Sequence, residues 1–171
     1  MHSPFANELN KSKEFLSLKR SIETFNAPVG ATGLSDVTKA FAIHSLCQDG
    51  EKAFIITPDE ATAVKLQETL AELQDGVLLL PMRELTFVEV AGVSHEYEHI
   101  RLGVLSKILS KDFSAVIMSA AASMLYTMPP GELREKSFSI KVNDEINVTE
   151  LEKKLEQNLS AELNRIRKEL P

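Results

Sequence analysis

Two stretches of the chain carry residue types and spacings that could do chemistry: Gly30-Ala31-Thr32-Gly33-Leu34-Ser35-Asp36-Val37 and His95-Glu96-Tyr97-Glu98-His99. The first has the outline of a phosphate-binding loop. A working loop of the form GxxxxGK[ST] needs a glycine that lets the backbone curl, a lysine for the β and γ phosphates and a hydroxyl for Mg²⁺. Counted from Gly30, those three places hold Ser35, Asp36 and Val37. Asp36 in place of lysine reverses the sign of the dominant interaction. At about 4 Å and an effective dielectric of about 20, each unit-charge pair contributes on the order of 4 kcal/mol, here as repulsion. The frame Gly30, Thr32, Gly33, Ser35, Asp36 and Val37 therefore reads as a degenerate phosphate loop between a strand and a helix, and no nucleotide or other cofactor is expected. Asp36 suits the first turn of the following helix, where a carboxylate favours the macrodipole and occupies the anion's place itself.

The second stretch matches H-E-x-x-H, which on a helix sets two imidazoles on one face for zinc and offers the Glu as general base. A zinc-dependent hydrolase using His95, Glu96 and His99 is the alternative function this motif raises. A catalytic zinc also needs a third protein ligand, and only His2 and His44 remain, neither of them downstream. Glu98 adds a charge between the histidines. The stretch reads as the polar first turn of a surface helix, with Glu96 and Glu98 near its positive end. Ser119 and Ser123 in "SAAASM" carry no signature of an activated nucleophile, and no catalytic residue is expected.

The elements that would position these residues follow from periodicity. Phe15, Leu18, Ile22 and Phe25 recur at helical spacing, so residues 10–25 predict an amphipathic helix ending before Pro28. "AFIIT" predicts a strand. After it, Thr57 as cap, Pro58 at the first helical position and Glu60 closing a capping box predict a helix that buries Ala63, Leu66, Leu70 and Leu73 and stops near Gly76. "VLLL" predicts the next strand. Ser94 can cap a helix carrying Tyr97, Ile100, Val104, Leu105 and Ile108, and "SAVIMS" predicts a third strand. Continuous apolar strands alternating with helices imply a parallel sheet covered on both faces, hence an α/β domain over 27–130, with 1–26 a helix packed on its core. Pro129-Pro130-Gly131 marks a break. Beyond it, "KSFSIKV" predicts a strand. Thr149 and Glu152 offer a capping box for a long helix with Leu151, Leu155, Leu159, Leu163, Ile166 and Leu170 on one stripe, so 131–171 reads as a partial second domain or a returning helical segment.

The whole chain narrows the function classes further. Its 171 residues can bury a real core, and 43% hydrophobic with 26% charged residues is ordinary globular usage. A net charge of −6 disfavours a domain whose main task is to grip nucleic acid, because phosphate neutralisation needs clustered Lys and Arg. Direct DNA binding is therefore not expected. The single Cys47 cannot pair within the chain. No apolar stretch reaches bilayer length and "MHSPFANELNKSKEF" lacks a signal-peptide core, so the expected location is the cytoplasm, away from membranes.

Five blocks in order resemble a known family. They are "GATGLSDVTKAF", "AFIITPDEATAVKLQETL", "VLLLPMRELTFVEVAGVSHEYEHIRLGVLSKIL", "AVIMSAAASMLYTMPP" and "SFSIKVNDEINVTELEKKL". Together they resemble the N-terminal, UvrB-like region of the bacterial transcription-repair coupling factors, the Mfd family. The resemblance implies a P-loop helicase-like fold, similar to UvrB domain 1a, whose phosphate loop is degenerate and whose ATPase is lost. A separate C-terminal motor in the parent protein would be the ATP-dependent DNA translocase. The implied role is non-catalytic: coupling stalled RNA polymerase to nucleotide excision repair by recruiting UvrA, and holding the full-length protein autoinhibited. The partners so implied are the rest of the coupling factor and, through it, UvrA and RNA polymerase. In the family the last block opens a Gly-rich, mixed β region that makes the UvrA contacts. Here Leu155 is followed by "EQNLSAELNRIRKELP", which weakly resembles the helical segment returning to the first domain, so no UvrA-contact residue is carried over.

Overall fold

The protein is seen here as a computed structural model that describes residues 8–24, 28–48, 50–82, 96–137, 145, 147–153 and 155–156. In chain order the elements are α1 (Lys13–Glu23), α2 (Asp36–Cys47), β1 (Ala53–Thr57), α3 (Glu60–Ala71), β2 (Val77–Leu80), α4 (Glu96–Leu109), β3 (Ala115–Ser119), α5 (Ala120–Ser123) and α6 (Pro130–Lys136). The chain divides into two compact units, Met1–Tyr126 and Thr127–Pro171. The first is α/β: a small open sheet of three parallel strands in the order β1-β3-β2, flanked by helices. The strands predicted from "AFIIT", "VLLL" and "SAVIMS" all form.

The sheet's alternation builds two cores. On one face Ala53, Ile55, Val77, Leu79, Ala115 and Ile117 meet Ile43 of α2 and Ala63, Leu66 and Leu70 of α3. On the other, Leu78, Leu80, Val116 and Met118 meet Val104, Leu105 and Ile108 of α4, with Phe113 and Ala122. Every residue of β3 is buried, as a central strand covered on both faces requires. β1 is different. Its Ile55 is covered, but Phe54 and Ile56 on the opposite face are 58% and 62% exposed. The Phe54 ring leans edge-on against Phe113 at 5.5 Å, and the Lys52 ammonium lies 4.6 Å over the same Phe113 ring while donating to the Lys111 and Phe113 carbonyls.

Helix starts depart from expectation by a residue or two. Asp59, not Thr57, caps α3: its carboxylate accepts from the Thr62 N–H at 2.8 Å and the Thr62 hydroxyl at 3.0 Å, and α3 begins at Glu60. A carboxylate one position from the helix outcompetes a hydroxyl three positions away, and Thr57 instead donates to the Asp59 carbonyl. α3 ends as expected. Gly76 has φ +76°, and a Cβ there would lie 3.0 Å from the Ser114 nitrogen, so the turn into β2 needs glycine twice over. Ser12 caps α1 through the Phe15 N–H, and Phe15 is that helix's buried residue. Ile22, expected on the same stripe, is 47% exposed. On α4, Val104 is buried while Tyr97 and Ile100 are exposed, and the expected Ser94 cap lies outside the described residues.

In the second unit Pro129 and Pro130 open α6, with Pro130 at the first helical position. The next helix begins at Val148, capped by Asn147, whose amide oxygen accepts from the Thr149 and Glu150 N–H groups at 3.2 and 3.4 Å. Thr149 is thus inside the helix it was expected to cap. The predicted strand beyond Ser137 and the stripe from Leu159 onward lie outside the described residues.

Because Ile117 is fully buried in the central strand, Ile117→Ala is expected to lower the unfolding free energy by about 2–5 kcal/mol. Ile56→Ala, on the uncovered face of β1, is expected to change it by no more than about 0.5 kcal/mol. Chemical denaturation of the two variants measures the contrast, and equal losses would contradict this account of the sheet.

Candidate functional site

The phosphate-loop frame lies in residues 30–37, ahead of α2. Residues 28–35 form no strand. The strand of the expected strand-turn-helix frame is therefore not found there, and residues 25–27 lie outside the described residues. Pro28 has no N–H to give to a ladder, and Gly30 follows two residues later. Gly33 keeps a left-handed φ of +77°, which favours glycine, whereas Gly30 has no such conformation and no atom within 4 Å of where its Cβ would be. One glycine of the frame is therefore required by the backbone. Thr32 and Val37 are exposed, Val37 at 55%.

The helix start is filled by the chain's own groups. Ser35 caps α2, its hydroxyl accepting from the Thr38 N–H at 3.2 Å and meeting the Thr38 hydroxyl at 2.8 Å. Asp36 lies in the first turn and draws in two cations from two helices: Lys39 of α2 at 3.1 Å on one carboxylate oxygen and Lys65 of α3 at 3.9 Å on the other. The hydrogen bond from Lys39, then the charges of Lys39 and Lys65, hold the Asp36 carboxyl below the usual aspartate range. Asp36 thus takes the place, charge and partners that an anion at this helix start would use. Chemically the arrangement is one carboxylate shared by two ammonium groups, with one positive charge in excess.

The H-E-x-x-H residues are not assembled into a metal site among the described residues. Glu96 is the first residue of α4 and His99 is exposed one turn later, while His95 lies outside the described residues. Among the described residues no group of three or more His, Cys, Asp and Glu side chains converges to hold a metal. His44, a candidate third ligand, is engaged elsewhere. Its Nδ1 donates to Gln74 Oε1 at 2.8 Å and its Nε2 accepts from Gln48 at 3.1 Å. Gln74 in turn donates to Ser114, whose hydroxyl donates to the Asp75 carbonyl at 2.6 Å. This relay ties α2 to the entries of β2 and β3, and uses both imidazole nitrogens. Cys47 is half-buried with its thiol on the Ser114 carbonyl at 3.8 Å, and burial pushes the thiol up, so it stays neutral near pH 7.

At the carboxyl ends of the strands stands a cluster that the sequence reading missed. One Glu60 oxygen accepts from the Ser119 hydroxyl at 2.7 Å and the other from the Met82 N–H at 3.0 Å, joining the start of α3 to the ends of β3 and β2. Ser119 also caps α5 through the Ala122 N–H at 3.1 Å. Buried Arg101 of α4 donates to the Pro81 carbonyl beside them, and its other terminal nitrogen has no hydrogen-bond partner among the described residues. Burial lowers the Arg101 pKa while the Glu60 charge opposes that. Although a serine bonded to a carboxylate resembles a nucleophile with its base, Ser119 is 1% exposed and both Glu60 oxygens are committed, so the pair acts as a crosslink. Ser119 and Glu60 are 59 positions apart, and no local pattern announces their meeting.

No family model, curated protein or solved structure matches this chain. No helix among the described residues is long and apolar enough to cross a membrane.

Two measurements check these assignments. Asp36 followed by NMR titration is expected to have a midpoint below the usual aspartate value that rises in Lys39→Met. A depressed folded-state pKa contributes stability above the unfolded value and loses it as pH falls through the folded value, so this small contribution disappears on the acid side. For the crosslink, Ser119→Ala and Glu60→Gln are each expected to destabilise by about 1–2 kcal/mol. Their double variant should fall short of the sum by about 1 kcal/mol, and strict additivity would show that the bond contributes nothing.

Proposed function

We propose that this chain is a non-catalytic α/β module of the transcription-repair coupling factor family, with the P-loop helicase-like, UvrB domain 1a-like arrangement and without its ATPase. The reading rests on the five sequence blocks. The structural observation that supports it best is Asp36, a carboxylate paired with Lys39 and Lys65 where the loop would need a free lysine and an empty anion site. The small parallel sheet flanked by helices agrees with the coarse architecture of such a domain. In this reading the chain works by contact with the rest of the coupling factor, holding the motor in check, and reaches UvrA and RNA polymerase through the parent protein in the cytoplasm. A parent translocase supplies the ATP-driven step, so the module has no use for a nucleotide.

The test has one arm for the lost site and one for the interaction. Titrated with a fluorescent ATP analogue and Mg²⁺, the chain is expected to show no saturable binding. Mixed with the motor domains of a coupling factor, it is expected to co-elute with them and lower their ATPase rate. Saturable nucleotide binding that vanishes in Gly33→Ala, or an unchanged ATPase with no co-elution, would overturn the proposal.

A further inference from the structure

Between α1, α2, β1 and α3 the first unit holds a partly open cavity of about 560 Å³, within the usual range for small-molecule sites. Its walls are mainly apolar: Leu18 of α1, Leu34 ahead of α2, Ile43 and Leu46 on α2, Ile55 of β1 and Leu66 of α3. Its charged groups are Asp36, Lys39 and Lys65, the ion-paired group of the degenerate loop. We propose that this cavity binds a small amphiphilic monocarboxylic acid, its apolar body against Leu34, Ile43, Ile55 and Leu66 and its carboxylate at Lys65.

Charge complementarity selects the headgroup. Two ammonium groups and one carboxylate leave the site one positive charge in surplus, on a chain whose net charge is −6. The surplus is concentrated on one side chain. Lys39 is held tightly by Asp36 at 3.1 Å, but Lys65 reaches the same carboxylate only at 3.9 Å and is 74% exposed, so it can turn to a second carboxylate while the Asp36–Lys39 pair stays intact. The positive end of α2, whose first turn carries Asp36 and Lys39, adds to the same sign. A dianion would exceed the surplus and meet Asp36, a cation would be repelled by Lys65, and a neutral body would leave the surplus uncompensated.

The experiment titrates the full chain with octanoate and, separately, with 1-octanol, both below their aggregation limits, and follows backbone amide shifts. Octanoate is expected to produce saturable shifts centred on Ile43, Ile55 and Lys65 and to bind about tenfold more tightly than 1-octanol, the difference one charge-assisted contact supports. Lys65→Gln, an exposed substitution that leaves the core untouched, is expected to bring octanoate down to the level of 1-octanol. Unsaturable shifts, shifts centred away from the cavity, equal affinity for acid and alcohol, or octanoate affinity unaltered in Lys65→Gln would each overturn the proposal.

Discussion

The first unit depends on the burial of β3. Its five residues pair on both edges, with β1 and β2, and are covered on both faces by helices. A strand in that position leaves no backbone group and no side chain to water, so every neighbour must be apolar or provide a hydrogen bond. Val116 and Met118 receive α4, and Ala115 and Ile117 receive α3. Where β3 ends, Ser119 meets Glu60 and caps α5 within one hydroxyl's reach, so the strand's exit is closed by polar groups that satisfy each other.

The charged group at α2 shows how a helix start can be occupied by the chain's own polar groups. Ser35 satisfies an amide that a phosphate would otherwise take, and Asp36 neutralises cations that a phosphate would otherwise attract. Asp36 draws on lysines of two helices, and the same three side chains supply the charge of the apolar cavity beside them.

What was legible in the sequence follows the range of the forces involved. Apolar runs and helical spacing located β1, β2, β3 and α3, because "AFIIT", "VLLL" and Ala63, Leu66 and Leu70 express burial directly. Capping was legible to within two residues. Asp59 and Asn147 took the places expected of Thr57 and Thr149, since several polar side chains near a helix start compete and their order depends on the backbone path. The place of Asp36 in the first turn of α2 was legible from its neighbours in sequence, but one of its partners, Lys65, comes from another helix. The strand expected before Gly30 is absent from residues 28–35, and the Glu60 crosslink and the exposure of Phe54 and Ile56 went unforeseen. The crosslink and the exposed face of β1 are set by strand order, which no local pattern encodes.

Strand order also sets a sequence of events in time. β1 and β2 come first along the chain, yet they never pair with each other, and each depends on β3, which lies between them. Ala53 waits for Ala115 and Val77 waits for the same residue. As the chain emerges from its amino end, the apolar strands AFIIT and VLLL therefore exist without a ladder until residue 115 has been made, and only helices have local bonds to form in the interval. The sheet then closes on both sides of one late strand.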